Sequence, residues 1–282
     1  MNISKLKNNP ILFIVFLFLL GFLIGKIPIK EHLHFSSYLS SRLENIFIYS
    51  SLLGLYIFVI NKFRIPHSYF QFIERKNYIY YLPVIFYIIV FSNGFSDFCH
   101  ISNLSLYSWK VILYGIETLT SAMFEEVLFR GLILGVLLSK YYDSKNGILK
   151  SVIISSLIFG LVHIINIWAQ PYQSSTRGTL NQVYAAFCLG AMYSAIYLKT
   201  RSIIILGVLH FITNFFAGIG ELSGSETIVN SISRGKTIIE MVVSNALTLV
   251  IFGLPLLIGL YVLKNTNREE VEELIDNTKS FV

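Results

Sequence analysis

Apolar residues along this chain are grouped in long runs that short polar connections separate. Eight runs stand out, with bounds 11–25, 46–60, 78–91, 111–138, 148–168, 179–198, 202–218 and 241–263. A helix that crosses a bilayer needs ~20 predominantly apolar residues, and most of these runs approach that length. The pattern predicts an all-α, polytopic membrane helical bundle with about eight transmembrane helices. Seven or nine spans are also compatible, because 95–107 and 219–240 can hold interfacial or re-entrant pieces.

Composition supports the membrane interpretation. Hydrophobic residues make up 54% of the 282 residues and charged residues only 13%, whereas soluble domains carry about 25% charged residues. The mean hydropathy is +0.65. The net charge of +6 does not indicate nucleic acid, because basic residues that flank spans orient them in the bilayer. Two cysteines, Cys99 and Cys188, exclude a disulfide framework and a Cys-rich zinc site.

The distribution of lysine and arginine predicts the orientation. With the amino terminus inside, the cytoplasmic connections hold twice as many Lys and Arg as the outer ones, which places both termini in the cytoplasm by the positive-inside rule. Run 11–25 follows Lys5 and Lys7 but no small-residue cleavage site follows it, so we expect an uncleaved first span. The tail 268–276 is expected to be a solvated, partly helical end. The predicted location is an integral, multi-pass membrane protein, in the plasma membrane if the chain is bacterial.

Run 111–138 contains a cluster of charged residues, Glu125, Glu126 and Arg130. An ionisable side chain near mid-bilayer costs about 3 kcal/mol on insertion scales, which makes such a residue a functional-site hypothesis. Residues four apart share a helix face, so Glu126 and Arg130 are expected to form an ion pair. Glu125 points about 100° away and stays available. A purely structural Glu–Arg pair is the alternative at this point.

The next run carries His163, with Phe159 on the same face and Gly160 beside it. Gly160 would let another helix approach closely. In isolation, His163 can equally be a hydrogen-bonded packing residue. Asn166 either extends the same polar face or marks the end of the span.

Run 202–218 carries His210 and Asn214, which are four residues apart and face the same way. An imidazole and a side-chain amide are hydrogen-bond donors that suit developing negative charge in an apolar surrounding. A polar contact between helices is the alternative. Five other titratable residues are weaker candidates because of their positions: Glu117, His32, His34, His67 and His100.

The three polar motifs are chemically complementary. One shared cavity would satisfy all of them, whereas separate sites would each need their own partners within the membrane. A glutamate and a histidine that converge on one water can activate it by general-base action. A neighbouring His/Asn pair can hold the oxyanion of a tetrahedral intermediate. These are the parts of peptide-bond hydrolysis without a covalent nucleophile.

The order Glu-Glu-x-x-x-Arg (125–130), Phe-x-x-x-His (159–163) and His-x-x-x-Asn (210–214) resembles the CPBP intramembrane protease family. That family groups the type II CAAX prenyl endopeptidases with the bacteriocin-processing and self-immunity proteins called Abi. The likeness covers roughly 117–218, and 125–131 is its most specific part. It implies one membrane domain with amino-terminal transmembrane helices (1–110), a catalytic core (111–218), and a last transmembrane helix with a cytoplasmic tail (219–282).

The resemblance also implies roles for the site residues. Glu125 would be the general base and His163 would position or polarise the water, while His210 and Asn214 would form the oxyanion hole. The bracing residues would be Glu126 and Arg130. Spacing does not decide which glutamate is the base. The family is named as metalloproteases, and two histidines with a carboxylate are a set that zinc can use. The chain has no His-Glu-x-x-His, so the metal question stays open and metal-independent glutamate catalysis is favoured.

Three functions remain in view. The leading one is an intramembrane endopeptidase acting on a peptide or a membrane-tethered protein, with the lipid bilayer as its surroundings and no nucleic acid. The second is a non-proteolytic membrane regulator or bacteriocin-immunity protein that acts by binding. The third is a proton- or cation-coupled transporter, since buried Glu and His also mark ion paths. Transporters often show repeated halves, and none is visible in this sequence.

Overall fold

The computed structural model describes residues 9–25, 36–70, 75–91, 109–169, 176–219 and 238–276, and within these ranges all regular secondary structure is helical. The helices are α1 (Pro10–Ile24), α2 (Ser37–Phe63), α3 (Leu82–Phe91), α4 (Trp109–Glu126), α5 (Leu134–Tyr141), α6 (Gly147–Val162), α7 (Asn166–Ala169), α8 (Thr176–Thr200), α9 (Ile203–Gly218), α10 (Ile238–Lys264) and α11 (Arg268–Asp276). A π-helical segment, Val127–Ile133, joins α4 to α5, and two 3-10 segments are Arg75–Tyr81 and His163–Ile165. The all-α fold class is thereby confirmed.

Each of the eight predicted apolar runs contains a helix, although the bounds differ. The largest difference is α2, which begins at Ser37 rather than near residue 46. Ser36 caps its amino terminus by accepting a hydrogen bond from the Leu39 N–H. Arg42, which the apolar pattern places in the connection before run 46–60, therefore lies inside a helix.

Within the described ranges, two helical stretches, Tyr38–Phe63 and Gly147–Ile165, are long and apolar enough to cross a membrane by length and composition. Leu249–Lys264 and Arg268–Asp276 qualify only as a pair, which is bent by 85°. Three shorter apolar helices are Pro10–Gly21, Tyr78–Ile89 and Ile203–Gly218. Eight spans and two cytoplasmic termini therefore stay predictions.

Helix α4 packs between α2 and α9, and α8 packs between α6 and α10. Glycines allow the close approaches around α8. A Cβ on Gly160 of α6 would lie 2.8 Å from the Val183 carbonyl oxygen, and a Cβ on Gly259 of α10 would lie 2.8 Å from Met192 Cα. The close approach predicted at Gly160 is confirmed, and the neighbour is α8.

The charged stretch runs into the π-helical segment Val127–Ile133. At its end the Leu134 N–H donates to the Phe129 carbonyl, five residues back, and all seven residues of the segment are buried. Single π-helical turns inside longer helices occur frequently at functional sites. The segment therefore departs from regular helix directly after the two adjacent glutamates.

The tail is helical and its polar face is exposed, as predicted, but its apolar face is buried, which the prediction of a solvated end did not include. Val271 and Leu274 of α11 are 0% and 1% exposed. On the polar side, Lys199 pairs with Glu270 at 2.7 Å and Arg201 pairs with Glu273. The spacing of Val271 and Leu274 places both on one helix face, which explains why this short helix docks.

Several sequence predictions fall on residues outside the described ranges. These are 95–107, most of 219–240, Cys99, His32, His34 and His100. Cys188, which is described, is fully buried with a free thiol.

Candidate active site

A cavity of about 690 Å³ lies within the bundle. It contains side chains from all three polar motifs identified in the sequence. Its polar and titratable lining residues are Tyr49, Tyr56, Glu125, His163, Asn166, Gln182, His210 and Asn214, and most of the others are apolar or aromatic. The structure therefore brings Glu125, His163, His210 and Asn214 to one cavity, as a shared site requires.

Behind the cavity wall lies a buried ion pair. Arg130 Nη1 is 3.0 Å from Glu126 Oε1, and the two side chains are 1% and 0% exposed. The predicted i,i+4 pair is therefore present. Arg130 Nη2 also donates to the Gly190 carbonyl of α8 at 3.3 Å. The guanidinium lies over the rings of Phe159 and Tyr193, 4.9 and 5.4 Å from their centroids, which adds cation–π stabilisation.

His210 bridges the two adjacent glutamates. Its Nδ1 is 2.8 Å from Glu126 Oε1, and its Nε2 is 3.8 Å from Glu125 Oε2. Because a carboxylate only accepts hydrogen bonds, Nδ1 carries the proton that faces an ionised Glu126. The buried carboxylate thus fixes both the orientation of the ring and the nitrogen that points toward Glu125.

The two glutamates occupy different environments. The side chain of Glu125 is 22% exposed and lines the cavity, whereas that of Glu126 is 0% exposed and does not. Ser121 Oγ, one turn earlier on α4, donates to Glu125 Oε1 at 3.4 Å. Only Glu125 is placed to meet a molecule that enters the cavity.

His163 lies at the carboxyl end of α6. Its Nδ1 is 2.9 Å from the Phe159 carbonyl oxygen, so this nitrogen donates and Nε2 is left as an acceptor in the neutral ring. The Phe159 ring contacts both imidazoles, with centroid distances of 5.2 Å to His163 and 6.2 Å to His210. Phe159 thereby fixes the spacing of the two histidines.

The metal question can be tested against the donor set. Within the described ranges, no group of three His, Cys, Asp or Glu side chains is arranged to hold a metal ion. The described residues, as placed, therefore do not form a zinc ligand set.

A second buried polar cluster, which sequence reasoning ranked too low, lies nearer the amino terminus of α4. Glu117 accepts from Arg42 Nη1 at 2.5 Å and from Asn45 Nδ2 at 2.7 Å. It connects α2 to the helix that carries the catalytic candidates. The sequence contained an indication of this cluster, because Glu117, Ser121 and Glu125 are spaced by four residues and therefore share one face of α4.

Aromatic stacking continues the contact between α2 and α4. Phe124 stacks between Tyr49 and Tyr56, with centroid distances of 5.7 and 5.8 Å. The Tyr56 hydroxyl donates to the Leu17 carbonyl of α1 at 3.2 Å. These contacts place aromatic rings beside Glu125 and hold α1 and α2 at the cavity.

Asn166 and Gln182, of which Gln182 was not singled out in the sequence, form a hydrogen-bonded amide pair that lines the cavity. Asn166 Nδ2 donates to Gln182 Oε1 at 2.9 Å. Asn214 lies on α9, and its backbone carbonyl accepts from the Tyr114 hydroxyl at 3.1 Å. The polar face of Asn166, left open by the sequence, is therefore directed to the cavity.

A comparison with known protein families matches the part of the chain that carries the three polar motifs. Residues 107–216 match the family model described as type II CAAX prenyl endopeptidase Rce1-like. No match was found among curated proteins or solved structures. The matched stretch includes every catalytic candidate, from Glu125 to Asn214.

Proposed function

We propose that this protein is an intramembrane endopeptidase. Its substrate is a peptide or a membrane-tethered protein. The premise is that residues 107–216 belong to the type II CAAX prenyl endopeptidase Rce1-like family. The family membership is the one that the three sequence motifs indicated. Together with the apolar helices, it supports an integral membrane protein, and we propose that this protein has about eight spans and cytoplasmic termini. Within one membrane domain, 111–218 is the catalytic core between amino-terminal helices (1–110) and a carboxyl-terminal part (219–282).

The observation that carries the proposal is the arrangement around His210. Its ring contacts a buried carboxylate, Glu126, on one side and faces the accessible carboxylate Glu125 on the other. A structural ion pair between Glu126 and Arg130 needs neither Glu125 nor the cavity. A hydrolytic site needs both, because a base has to meet water and substrate.

Charge balance favours a protonated His210 in the resting site. Glu125 and Glu126 carry two negative charges, and Arg130 contributes one positive charge. A second positive charge on His210 makes the four-residue cluster neutral, which lowers the cost of holding it away from water. Both nitrogens of His210 then donate, with Nδ1 to Glu126 and Nε2 toward the cavity.

In the proposed reaction, a water molecule lies between Glu125 and Nε2 of His163. Nε2 of His163 accepts one hydrogen bond from the water, and the Glu125 carboxylate takes the other proton. The oxygen attacks the scissile carbonyl carbon, and the carbonyl electron pair becomes an oxyanion. His210 Nε2–H and the side-chain amide of Asn214 donate to that oxyanion.

The second half of the reaction returns the proton. Glu125, now neutral, donates it to the nitrogen of the leaving amine as the carbon–nitrogen bond breaks. In the first step the negative charge moves from Glu125 to the oxyanion beside it, so the net charge in the apolar surrounding does not change. Glu126 and Arg130 keep their hydrogen bonds throughout and hold His210 in place.

A peptidome comparison tests the proposal. Cells that produce the wild-type chain should contain cleaved peptides that are absent from cells with Glu125→Ala at equal membrane levels. His163→Ala should give the same loss. Persistent cleavage in both variants refutes the proposed function.

The same variants separate the other two functions. A regulator or immunity protein that acts by binding keeps its cellular phenotype in Glu125→Gln, because the shape of the side chain is preserved. A transporter produces flux in proteoliposomes that depends on a pH or cation gradient. If the wild-type chain hydrolyses peptides without producing flux, and Glu125→Gln loses this hydrolysis, the endopeptidase is favoured over both alternatives.

A further inference from the structure

Tyr114 of α4 places its hydroxyl against the carboxyl-terminal part of α9. The hydroxyl donates to the Asn214 carbonyl oxygen at 3.1 Å and lies 3.4 Å from the Phe215 carbonyl oxygen. The Tyr114 ring packs on the Phe215 ring, with centroids 5.4 Å apart, and the residue is buried. None of the reaction steps above uses Tyr114, although it contacts the residue that carries one of the two oxyanion donors.

Gly218 makes this contact possible. It lies one turn after Asn214 on the same face of α9, and a Cβ at this position would overlap with the Tyr114 hydroxyl. Because glycine has no side chain, the phenol reaches the backbone of the last turn of α9. The contact lies at the edge of the cavity, which Asn214 and Gly218 both line.

The polar cluster on α2 and α4 also contacts Tyr114. The Arg42 guanidinium lies 5.3 Å from the centroid of the Tyr114 ring, and Glu117 accepts a hydrogen bond from Arg42 Nη1. Ionisable side chains within membrane helices are costly and mark functional sites. The series Glu117, Arg42, Tyr114 and Asn214 connects this ion pair to the cavity.

The two proposed oxyanion donors are positioned in different ways. The His210 ring is fixed by Glu126, whose Oε1 lies 2.8 Å from Nδ1. Asn214 lies one turn later, near the end of α9 at Gly218, and helix ends fray. The last four carbonyls of a helix, which begin here with that of Phe215, have no partner within the helix. The Tyr114 hydroxyl supplies a donor at this point and restrains the backbone from which the Asn214 side chain projects.

The placement of Asn214 matters because an oxyanion donor acts only at hydrogen-bond distance. Donors stabilise the developing charge when they lie about 2.7–3.1 Å from it, and a misplacement of about 1 Å can cost about 10²-fold in rate. We propose that Tyr114 is a positioning residue that fixes Asn214 in the oxyanion site through this backbone contact. The inference rests on the proposed endopeptidase function, and it adds a residue that acts through Asn214 rather than on the substrate.

The first test measures kcat and KM for a mapped peptide with full-length protein in proteoliposomes. Tyr114→Phe removes the hydroxyl and keeps the ring. We expect kcat to fall about three- to thirtyfold, less than the roughly 10²–10³ lost when an oxyanion donor is itself removed. KM should stay within about twofold, since the donor acts on the transition state.

Tyr184→Phe is the matched control. The Tyr184 hydroxyl also donates to a carbonyl of another helix, that of Leu249 at 3.2 Å, and Tyr184 is not among the described residues that line the cavity. This variant loses the same kind of hydrogen bond away from the site. It should therefore change neither kcat nor KM.

A double-variant cycle separates positioning from a purely structural role. If Tyr114 acts through Asn214, Tyr114→Phe should lower kcat in the wild-type background and have no further effect in Asn214→Ala. A hydroxyl that only caps α9 would instead lower the unfolding midpoint and leave kcat of the folded protein unchanged.

Gly218→Ala provides a second variant of the same contact. Its methyl group displaces the Tyr114 hydroxyl, so we expect a similar fall in kcat. Combined with Tyr114→Phe, which removes the overlapping oxygen, Gly218→Ala should add little. Fully additive losses would show that the two changes act separately and would contradict the assigned contact.

The outcomes distinguish this inference from the proposed function. If the wild-type chain cleaves no peptide, the proposed function fails, and the inference fails with it. If the wild-type chain cleaves and Tyr114→Phe keeps its kcat, or lowers kcat equally with and without the Asn214 side chain, the inference fails and the proposed function stands. A fall in kcat that depends on Asn214, at an unchanged KM, supports the inference.

Discussion

Arg130 carries the positive charge that pairs with the buried carboxylate of Glu126. Its guanidinium is 1% exposed and touches Glu126, two aromatic rings and a carbonyl of α8. Removing one member of a buried pair leaves an uncompensated charge, which costs more than the pair itself contributes. The pair therefore has to be considered as one unit.

A double-variant series tests this. Arg130→Met should destabilise the folded protein by about 3–5 kcal/mol because the buried Glu126 loses the guanidinium with which it is paired and keeps only His210 beside it. Combining Arg130→Met with Glu126→Gln removes both charges and should recover a large part of that loss. Unfolding midpoints in detergent measure both. Equal destabilisation by the single and the double variant contradicts the assigned charge state of the pair.

At this scale the sequence predicted pairings within a helix well. The i,i+4 rule correctly paired Glu126 with Arg130 and left Glu125 available. It could not show that His210, 84 positions away from Glu126, bridges the two glutamates, because that contact depends on how α9 packs on α4. The spacing of Glu117 and Glu125 showed that they share a helix face, but not that Arg42, on another helix, pairs with Glu117.

Among the elements, α8 is the helix that most other parts of the bundle approach closely. It meets α6 at Gly160 and α10 at Gly259, and its Gly190 carbonyl accepts from Arg130. Sequence spacing predicted that a helix would approach Gly160, but not which helix. Helix identity follows from tertiary packing, which periodicity does not encode.

A glycine pair gives a matched test of this packing. Gly160→Ala places a Cβ 2.8 Å from the Val183 carbonyl oxygen and 3.0 Å from Phe187 Cβ, so we expect a loss of about 1–3 kcal/mol from overpacking. Gly54→Ala, on α2, meets nothing within 4 Å and should be neutral or slightly stabilising. Thermal unfolding of the two variants should differ clearly, and equal midpoints contradict the close approach.

The connection after α2 is a second structural element that the apolar pattern did not reveal. The carbonyls of Ser68 and Tyr69 accept from the N–H groups of Ile203 and Ile204 at the start of α9. His67 lies in this connection with its Nδ1 2.8 Å from the Ile65 carbonyl. Burial lowers the pKa of His67 below its ordinary value of 6.5, against the opposing effect of that hydrogen bond.

The lowered pKa predicts a pH dependence. The folded state binds the His67 proton less tightly than the unfolded state, so this residue's contribution to stability is present above pH 6.5 and is lost as the pH falls through the folded-state pKa. His67→Gln should reduce the loss of stability on acidification. Unfolding midpoints between about pH 5 and 8 measure it, and parallel curves for the variant and wild type contradict the assignment.

For the molecule as a whole, apolar patterning predicted a helix at each of the eight runs. It did not predict where the helices begin and end, or that the tail is docked. Cap residues such as Ser36 moved the start of α2, and the docked face of α11 rests on only two apolar residues. Such a short amphipathic segment is easily taken for a solvated tail. Whether a helix counts as a span depends on its apolar length. The charged cluster at the end of α4 interrupts its apolar character, so α4 does not have the pattern of a uniformly apolar span.

The attachment of α11 gives a prediction at this scale. An ion pair with one exposed member, such as Glu273 at 67% exposure, contributes about 0–1 kcal/mol, whereas burying one aliphatic side chain contributes about 1.5–3 kcal/mol. Val271→Asp should therefore release α11, and Glu273→Gln should not. Amide hydrogen exchange over 268–276 measures the difference, and equal protection in both variants contradicts the assignment of docking to the apolar face.

The central claim is that Glu125, in a cavity shared with His163 and His210, activates the water that cleaves a peptide bond. The most direct measurement is single-turnover hydrolysis of a mapped peptide by purified protein in proteoliposomes, for wild type, Glu125→Gln and the exposed control Glu269→Gln. Loss of a positioned general base costs about 10²–10⁴ in rate. We predict that loss for Glu125→Gln at an unchanged unfolding midpoint, and wild-type rates for Glu269→Gln. Hydrolysis by Glu125→Gln within a few-fold of wild type would contradict the account.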